Sequence, residues 1–127
     1  MAIKILVVED YLSTARFLTY TLESEGFQTS VARNGIEGLR KAREEKPDLV
    51  VLDVMLPGMD GFEVCRRLRA DEETARLPVL MVSAKAQETD KATGLKMGAD
   101  MYIVKPVGPE KLVAAVKSAL AKTPQPA

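Results

Sequence analysis

Short apolar runs alternate with stretches of helical periodicity along this chain. The runs Ile3 to Val8, Leu49 to Leu52 and Val79 to Val82 are nearly continuous and largely aliphatic. Such runs are typical of strands that are buried on both faces. Weaker strand signals lie at Gln28 to Ala32 and at Tyr102 to Val104. The pattern therefore predicts five strands, each followed by a helical segment.

The helical segments carry capping signals at their ends. Asn34 and Asp60 are predicted N-caps of the second and third helices, and Pro109 suits the first turn of the last one. Glu37 stands where the second half of a capping box with Asn34 belongs. The side chains predicted to face the core are those of Ala15, Leu18, Leu22, Ile36, Leu39, Ala42, Phe62, Cys65, Leu68, Leu112, Ala115, Val116 and Leu120.

A strand–helix alternation repeated five times predicts one α/β domain. Right-handed crossovers then give a doubly wound parallel sheet, for which the common flavodoxin-like (βα)5 strand order is 2-1-3-4-5. We expect this domain to cover residues 1–121. Residues 122–127, with the sequence KTPQPA, are expected to form a frayed tail or the start of a linker.

Polar residues end four of the predicted strands. Glu9 and Asp10 follow the first strand, Asp53 the third, Ser83 the fourth and Lys105 the fifth. In an open α/β sheet, ligands bind at the carboxyl edge, where the strand order reverses. The topology therefore predicts one site with three carboxylates, a hydroxyl and an ammonium group.

These groups predict phosphoryl-transfer chemistry. Neighbouring carboxylates repel one another, and oxygen ligands of this kind suit Mg²⁺. A magnesium ion together with Lys105 would neutralise phosphoryl oxygens beside a carboxylate nucleophile. Asp53 could then form an acyl phosphate.

Composition narrows the possible partners and compartments. The chain has 18 basic and 18 acidic residues, so its formal net charge gives no support for binding nucleic acid or an anionic membrane. It has no His, which excludes His-based catalysis and His metal ligands. No targeting segment or membrane span is recognisable, and the single Cys requires no oxidising compartment, so we expect a cytoplasmic protein.

Four motifs give the chain a strong resemblance to the receiver domain of two-component response regulators. They are VVED at residues 7–10, LDVMLPGMDGFE at residues 52–63, MVSA at residues 81–84 and YIVKP at residues 102–106. The resemblance extends from about Ile3 to Leu120. It implies a phosphorylation-controlled signalling switch that catalyses only its own phosphorylation and dephosphorylation.

The resemblance also implies a role for each site residue. Asp53 would be the phosphoacceptor. Glu9, Asp10, Asp53 and the main-chain carbonyl of Met55 would hold Mg²⁺, and Lys105 would pair with the phosphoryl group.

A second group of residues would transmit the signal. Ser83 would be the switch hydroxyl and Tyr102 the aromatic side chain that responds to phosphorylation, while the peptide bond before Pro106 would be cis. The phosphoryl donor would be a histidine kinase or a phosphotransfer protein acting in trans, because this chain has no His. The output domain or protein is not identified by the sequence, and a homodimer is possible.

Two other functions share parts of this pattern. A phosphatase with an aspartyl intermediate would use Asp53 as its nucleophile, but it would need a second Asp where this chain has Met55. A flavin-binding electron carrier of the same topology would need a hydroxyl-rich loop after the first strand and aromatic residues to stack on the ring. Ser13 and Thr14 supply only a weak form of that loop, and Trp is absent.

Overall fold

Five β-strands alternate with five α-helices over residues 2–122, the part of the chain that this computed structural model describes. Most of the predicted tail, residues 123–127, lies outside the described residues. In chain order the elements are β1 (Lys4–Val8), α1 (Leu12–Ser24), β2 (Gln28–Ala32), α2 (Gly35–Glu45), β3 (Leu49–Leu52), α3 (Gly61–Ala70), β4 (Val79–Ser83), α4 (Glu88–Met97), β5 (Met101–Val104) and α5 (Pro109–Lys122).

All five strands join one parallel sheet in the order β2-β1-β3-β4-β5. This confirms the predicted doubly wound fold. The order reverses between β1 and β3, which pair directly, with Val8 opposite Leu52. The residues that follow these two strands are therefore brought together at the carboxyl edge of the sheet.

The core has two layers, one on each face of the sheet. Successive strand residues point to opposite faces, so Leu6 and Val8 join the layer covered by α2, α3 and α4. Ile5 and Val7 join the layer covered by α1 and α5. The three inner strands, β1, β3 and β4, are buried on both faces, which is why their sequences are nearly continuous apolar runs.

Both predicted N-caps are present. The Asn34 side chain accepts a hydrogen bond from the Glu37 main-chain N–H at 2.8 Å, and the Asp60 side chain accepts one from the Glu63 N–H at 3.0 Å. The Glu37 carboxylate lies 3.3 Å from the Lys41 ammonium group, on the next turn of the helix.

The predicted buried face of α2 was wrong at one position. Ile36 is 71% exposed, and the buried face is instead formed by Gly35, Gly38 and Ala42. The reason is close packing: a Cβ atom at Gly38 would lie 3.0 Å from a Val8 methyl group. Small residues bring α2 close to β1, and the bulky Ile36 lies on the outside.

No helix within residues 2–122 has the length and apolar character needed to cross a bilayer.

Candidate functional site

The main chain extends the sheet pairing just beyond the strand ends and so fixes the first residues of the site. The Asp53 N–H donates to the Val8 carbonyl at 3.1 Å, and the Lys105 N–H donates to the Ser83 carbonyl at 2.9 Å. The Glu9 N–H donates to a carbonyl at the end of β2 at 3.0 Å. Three of the predicted site residues therefore start from rigid positions at one edge.

The Lys105 ammonium group joins two buried carboxylates. It lies 2.7 Å from Glu9 Oε1 and 3.1 Å from Asp53 Oδ2. Glu9 is 2% exposed and Asp53 is 6% exposed. A buried carboxylate is costly unless it is paired, so Lys105 is the group that makes this arrangement possible.

The second oxygen of each carboxylate is held by the main chain. Glu9 Oε2 accepts from the Tyr11 N–H at 3.0 Å, and Asp53 Oδ1 accepts from the Met55 N–H at 3.1 Å. Each carboxylate is therefore oriented by the shared Lys105 ammonium group and by one main-chain amide of its own. These two contacts hold the Asp53 carboxylate in one orientation, so its oxygens are already positioned for reaction.

Burial and charge act in opposite directions on Glu9 and Lys105. Burial raises the pKa of Glu9, and the hydrogen bonds from Lys105 and Tyr11 offset this only in part. Burial lowers the pKa of Lys105, but the hydrogen bond to Glu9 and the charge of Asp53 outweigh it, so that pKa is raised above its ordinary value. Lys105 therefore remains a cation at neutral pH.

Asp10 is arranged differently from Glu9, since its side chain is exposed. Its main-chain carbonyl accepts two hydrogen bonds from the Arg33 guanidinium group, at 3.3 and 3.1 Å. Sequence reasoning missed Arg33. Its position directly after β2, at the same edge of the sheet, was the signal that could have found it.

The turn after Asp53 depends on the small size of Gly61. The Gly61 N–H donates to the Val54 carbonyl at 2.8 Å, and a Cβ atom on Gly61 would overlap the Asp53 carbonyl oxygen. Only glycine fits this close approach of α3 to the end of β3. Gly61, the second glycine of the LDVMLPGMDGFE motif, thus supports Asp53, the residue that carries the candidate chemistry.

Ser83 and Tyr102 lie next to this centre on β4 and β5. Ser83 is fully buried, and its Oγ atom accepts from the Lys85 N–H at 3.3 Å. The Tyr102 hydroxyl donates to the Lys85 carbonyl at 2.7 Å, and its half-buried ring packs on the core. Burial raises the pKa of the Tyr102 phenol. The peptide bond between Lys105 and Pro106 is cis, as expected from the resemblance.

An apolar groove opens beside Lys105, between α1 and the loop after β5. Its volume is about 510 Å³. It is lined by Ser13, Thr14, Phe17, Leu18, Val82, Ala84, Lys105, Pro106 and Val107.

The predicted role of Cys65 as a packing residue is confirmed, because it is buried and burial raises the pKa of its thiol to about 11.

The donor set is chemically suited to a hard divalent cation. Glu9, Asp10 and Asp53 bring three negative charges and Lys105 brings one positive charge, so the group as a whole carries an excess of two negative charges. Carboxylate and carbonyl oxygens suit Mg²⁺. The side chains within residues 2–122 do not form a ready cluster of three acidic, His or Cys ligands. Glu9 and Asp53 contact Lys105 instead, and Asp10 is exposed.

Comparison of the sequence with known families assigns most of the chain to one of them. The model of the response regulator receiver domain matches residues 5–117. Among curated proteins, the PhoP transcriptional regulator of alkaline phosphatase synthesis from Bacillus subtilis is 48% identical over 120 residues, which are 94% of this chain and 49% of that protein. The DNA-binding response regulator MtrA of Mycobacterium tuberculosis is 50% identical over 117 residues, which are 92% of this chain and 50% of that protein.

Solved structures share the whole architecture. A CheY-like response regulator receiver domain protein from Methanospirillum hungatei superposes with a TM-score of 0.90 at 30% identity, covering 97% of both chains. The receiver domain of the sensor histidine kinase PA1611 from Pseudomonas aeruginosa superposes with a TM-score of 0.89 at 27% identity, covering 96% of this chain and 100% of that one. That structure has a magnesium ion coordinated in its active site cleft.

The chain spans about half the length of the curated relatives that it matches.

Proposed function

Because this chain belongs to the response regulator receiver domain family, we propose that its signalling switch works by phosphorylation of Asp53. The observation that carries the proposal is the Lys105 ammonium group, which contacts Asp53 and Glu9 at the same edge of the sheet. A carboxylate that accepts one hydrogen bond from an amide and another from a cation is held in a fixed orientation, from which it can act as a nucleophile.

The transfer step needs a donor from another molecule. An Asp53 oxygen attacks the phosphorus atom, a new P–O bond forms, and the bond between phosphorus and the donor breaks. The donor we propose is a phosphohistidine on a histidine kinase or phosphotransfer protein, because this chain contains no His. The apolar groove beside Lys105 would receive an apolar side chain of that partner.

Lys105 has a different role before and after transfer. Before transfer it neutralises Asp53 and Glu9, both of which are buried. After transfer the Asp53 carboxyl is part of an acyl phosphate, a mixed anhydride, and the new phosphoryl group carries up to about two negative charges. The ammonium group can then donate to a phosphoryl oxygen while it keeps its 2.7 Å contact with Glu9.

Glu9, Asp10, Asp53 and the Met55 carbonyl are the groups that we propose for holding Mg²⁺. Bound there, the ion would neutralise negative charge on the phosphoryl oxygens. The excess of two negative charges supports this assignment, since it matches the charge of one divalent cation. Asp10 is the member of the set that would have to turn inward from its exposed position.

We propose that Ser83 and Tyr102 transmit the effect of phosphorylation from the site to the rest of the domain. The Ser83 hydroxyl would donate to the phosphoryl group, and Tyr102 would move in response. The face formed by α4, β5 and α5 would then differ between the two states. The relatives include DNA-binding regulators, so an output domain or output protein is the proposed reader of that face.

Neither competing function gains support. The phosphatase alternative required an acid where Met55 stands, and the Met55 side chain is 57% exposed and apolar. Among the residues of the groove beside Lys105, Phe17 is the only aromatic one, so the described structure offers no pair of rings there to enclose a flavin.

Replacement of Asp53 tests the phosphoacceptor assignment. Incubation with an acyl phosphate and Mg²⁺ should add one phosphoryl mass to the wild-type chain, located at Asp53 by fragment mass spectrometry. Asp53→Asn should keep the fold and lose all of the label, whereas Asp48→Asn, an exposed residue at the opposite edge of the sheet, should label normally. Label retained in Asp53→Asn would mean that the acceptor is another residue.

Removal of the metal tests the cation site separately. Labelling should stop when a chelator removes Mg²⁺ and return when the ion is added back. Undiminished labelling in the chelator would refute the proposed role of Glu9 and Asp10 and leave the acceptor assignment intact.

A further inference from the structure

Helix α4 has only one fully buried position. Gly94 is the one buried residue of this fully described helix. The large side chain next to it, Leu95, is 52% exposed. Glycine weakens a helix interior relative to alanine, so a glycine at the only buried position indicates that another group needs the space.

The space beside Gly94 is taken by the ring of Tyr102. A Cβ atom built on Gly94 would lie 2.7 Å from Tyr102 Cδ2 and 3.2 Å from Tyr102 Cε2. It would also lie 2.9 Å from the Met81 sulfur atom. Contacts below about 3 Å are far inside van der Waals separation, so an added methyl group cannot coexist with the ring in its present place.

The position of this ring is linked to the phosphorylation site by two hydrogen bonds. The Tyr102 hydroxyl donates to the Lys85 carbonyl at 2.7 Å, and the Lys85 N–H donates to Ser83 Oγ at 3.3 Å. The ring thus lies between α4 on one side and Lys85, two residues after the switch hydroxyl, on the other. A displacement of about 1 Å at the ring would break the 2.7 Å bond.

We propose that Gly94 is a positioning residue for the switch: the absence of a side chain there lets the Tyr102 ring pack between α4 and Met81 with its hydroxyl on the Lys85 carbonyl. The proposal rests on the assignment of Tyr102 under the proposed function. It adds that the response of this ring to Asp53 is controlled by one position in α4, which does not touch the reacting atoms.

The Gly94→Ala variant separates the switch from the chemistry. Its Asp53 site is unchanged, so labelling by an acyl phosphate with Mg²⁺ should proceed as in the wild type. The ring, displaced by the new methyl group, should already be more exposed before labelling. Phosphorylation should then produce no further change at Tyr102.

Tyrosine fluorescence can report on this single ring. The chain has three Tyr and no Trp, and the other two, Tyr11 and Tyr20, are 70% and 75% exposed. Tyr11→Phe and Tyr20→Phe leave Tyr102 as the sole fluorophore. In this background, iodide should quench Tyr102 more strongly in Gly94→Ala than with Gly94 retained, and the change in quenching on phosphorylation should be lost.

Gly108→Ala is the matched control, because a Cβ atom there meets nothing within 4 Å. It should leave the quenching of Tyr102 and its response to phosphorylation unchanged. Unaltered quenching in Gly94→Ala would overturn the proposal, since it would show that α4 moves and the ring does not. A wild-type protein that is fully labelled at Asp53 with unchanged Tyr102 quenching would refute the coupling itself.

A stability cycle gives a second test that does not depend on phosphorylation. In the wild-type background, Gly94→Ala should lower the urea midpoint of unfolding, because the methyl group and the ring compete for space. In the Tyr102→Ala background, the same change should lower the midpoint by less, because the clash with the ring is gone and only the 2.9 Å contact with the Met81 sulfur opposes the better helix propensity of Ala. An equal loss in both backgrounds would contradict the proposed contact with the ring.

Discussion

At the scale of single residues, the site is a pair of buried carboxylates held by one ammonium group. Lys105 is shared between Glu9 and Asp53, which leaves the group with one uncompensated negative charge before Asp10 is counted. Interior charge that is only partly balanced costs stability, and sites of this kind are where proteins accept that cost for function.

Glu9→Gln should therefore make the unphosphorylated chain more stable at pH 7. Burial raises the pKa of Glu9 in the folded state, so its contribution to stability is complete below its ordinary pKa and is lost as the pH rises through the folded-state value. Gln keeps an acceptor for Lys105 and Tyr11 without the charge. We expect a gain of about 1 kcal/mol in the free energy of unfolding.

Urea denaturation between pH 4 and pH 8 would measure this effect. The stability of the wild type relative to Glu9→Gln should fall as the pH rises above about 4.5, the ordinary value for Glu. The variant should also label more slowly with an acyl phosphate. A variant that is less stable than the wild type across this range would mean that the Glu9–Lys105 ion pair outweighs the cost of burial.

The identity of the site residues could be predicted from sequence, but their partners could not. Glu9, Asp53 and Lys105 each follow a recognisable apolar run, and strand order alone brings them to one edge. That Lys105 contacts both carboxylates, or that Arg33 holds the Asp10 carbonyl, depends on side-chain reach across loops. The periodicity of the sequence does not specify these side-chain contacts.

At the scale of elements, α4 is held mainly at its C-terminal end. The Arg69 guanidinium group of α3 donates to the Gly98 carbonyl at 3.0 and 2.7 Å and to the Leu77 carbonyl at 2.6 Å. It also pairs with the Asp100 carboxylate at 3.1 Å. One side chain therefore connects the end of α3, the loop before β4 and the loop after α4.

Arg69→Met should remove this connection while keeping a side chain of similar length. Several carbonyl groups would lose their donor in a partly buried place, which should lower the free energy of unfolding by about 2–4 kcal/mol. The measurement is urea denaturation followed by circular dichroism. Arg66→Met on the same helix is the control, because Arg66 is exposed and pairs with Glu63 of α3 itself; it should unfold like the wild type. Equal effects of the two changes would argue against Arg69 as a link between helices.

The elements themselves were largely predictable because local signals define them. Asn34 and Asp60 cap helices, Pro109 begins one, and the apolar runs are strands. The exception at Ile36 came from packing, since small residues bring α2 close to the sheet and reverse which positions are buried. The attachment of α4 through Arg69 is likewise invisible before the helices are packed.

At the scale of the whole molecule, every group proposed for phosphorylation lies at one open edge of the sheet. The side chains two residues beyond Asp53 and Ser83 lie on the exposed side of that edge. They are Met55, which is 57% exposed, and Lys85, which is also exposed. Neither side chain is an acid or an amide that could orient a water molecule toward the phosphoryl group.

The phosphorylated chain should therefore lose its label slowly. Met55→Asn combined with Lys85→Glu should accelerate hydrolysis by about tenfold, the low end of what a positioned acid or base contributes. The fraction of labelled protein, followed by mass spectrometry after removal of the phosphodonor, gives the rate. The control is Met55→Asn with Lys96→Glu, which makes the same charge change at an exposed position of α4. This control should hydrolyse its label more slowly than the first double variant, because residue 85 is unchanged in it. An unchanged rate in the first double variant would contradict the idea.

The distance along the chain between Glu9 and Lys105 has a consequence for synthesis. These two residues are 96 positions apart, yet their side chains are 2.7 Å apart in the folded domain. A growing polypeptide leaves the ribosome with Glu9 first and completes the pair only after β5 has emerged and joined the sheet. A nascent chain that ends before β5 thus lacks the lysine that orients Asp53, and under the proposed function it would not yet accept a phosphoryl group.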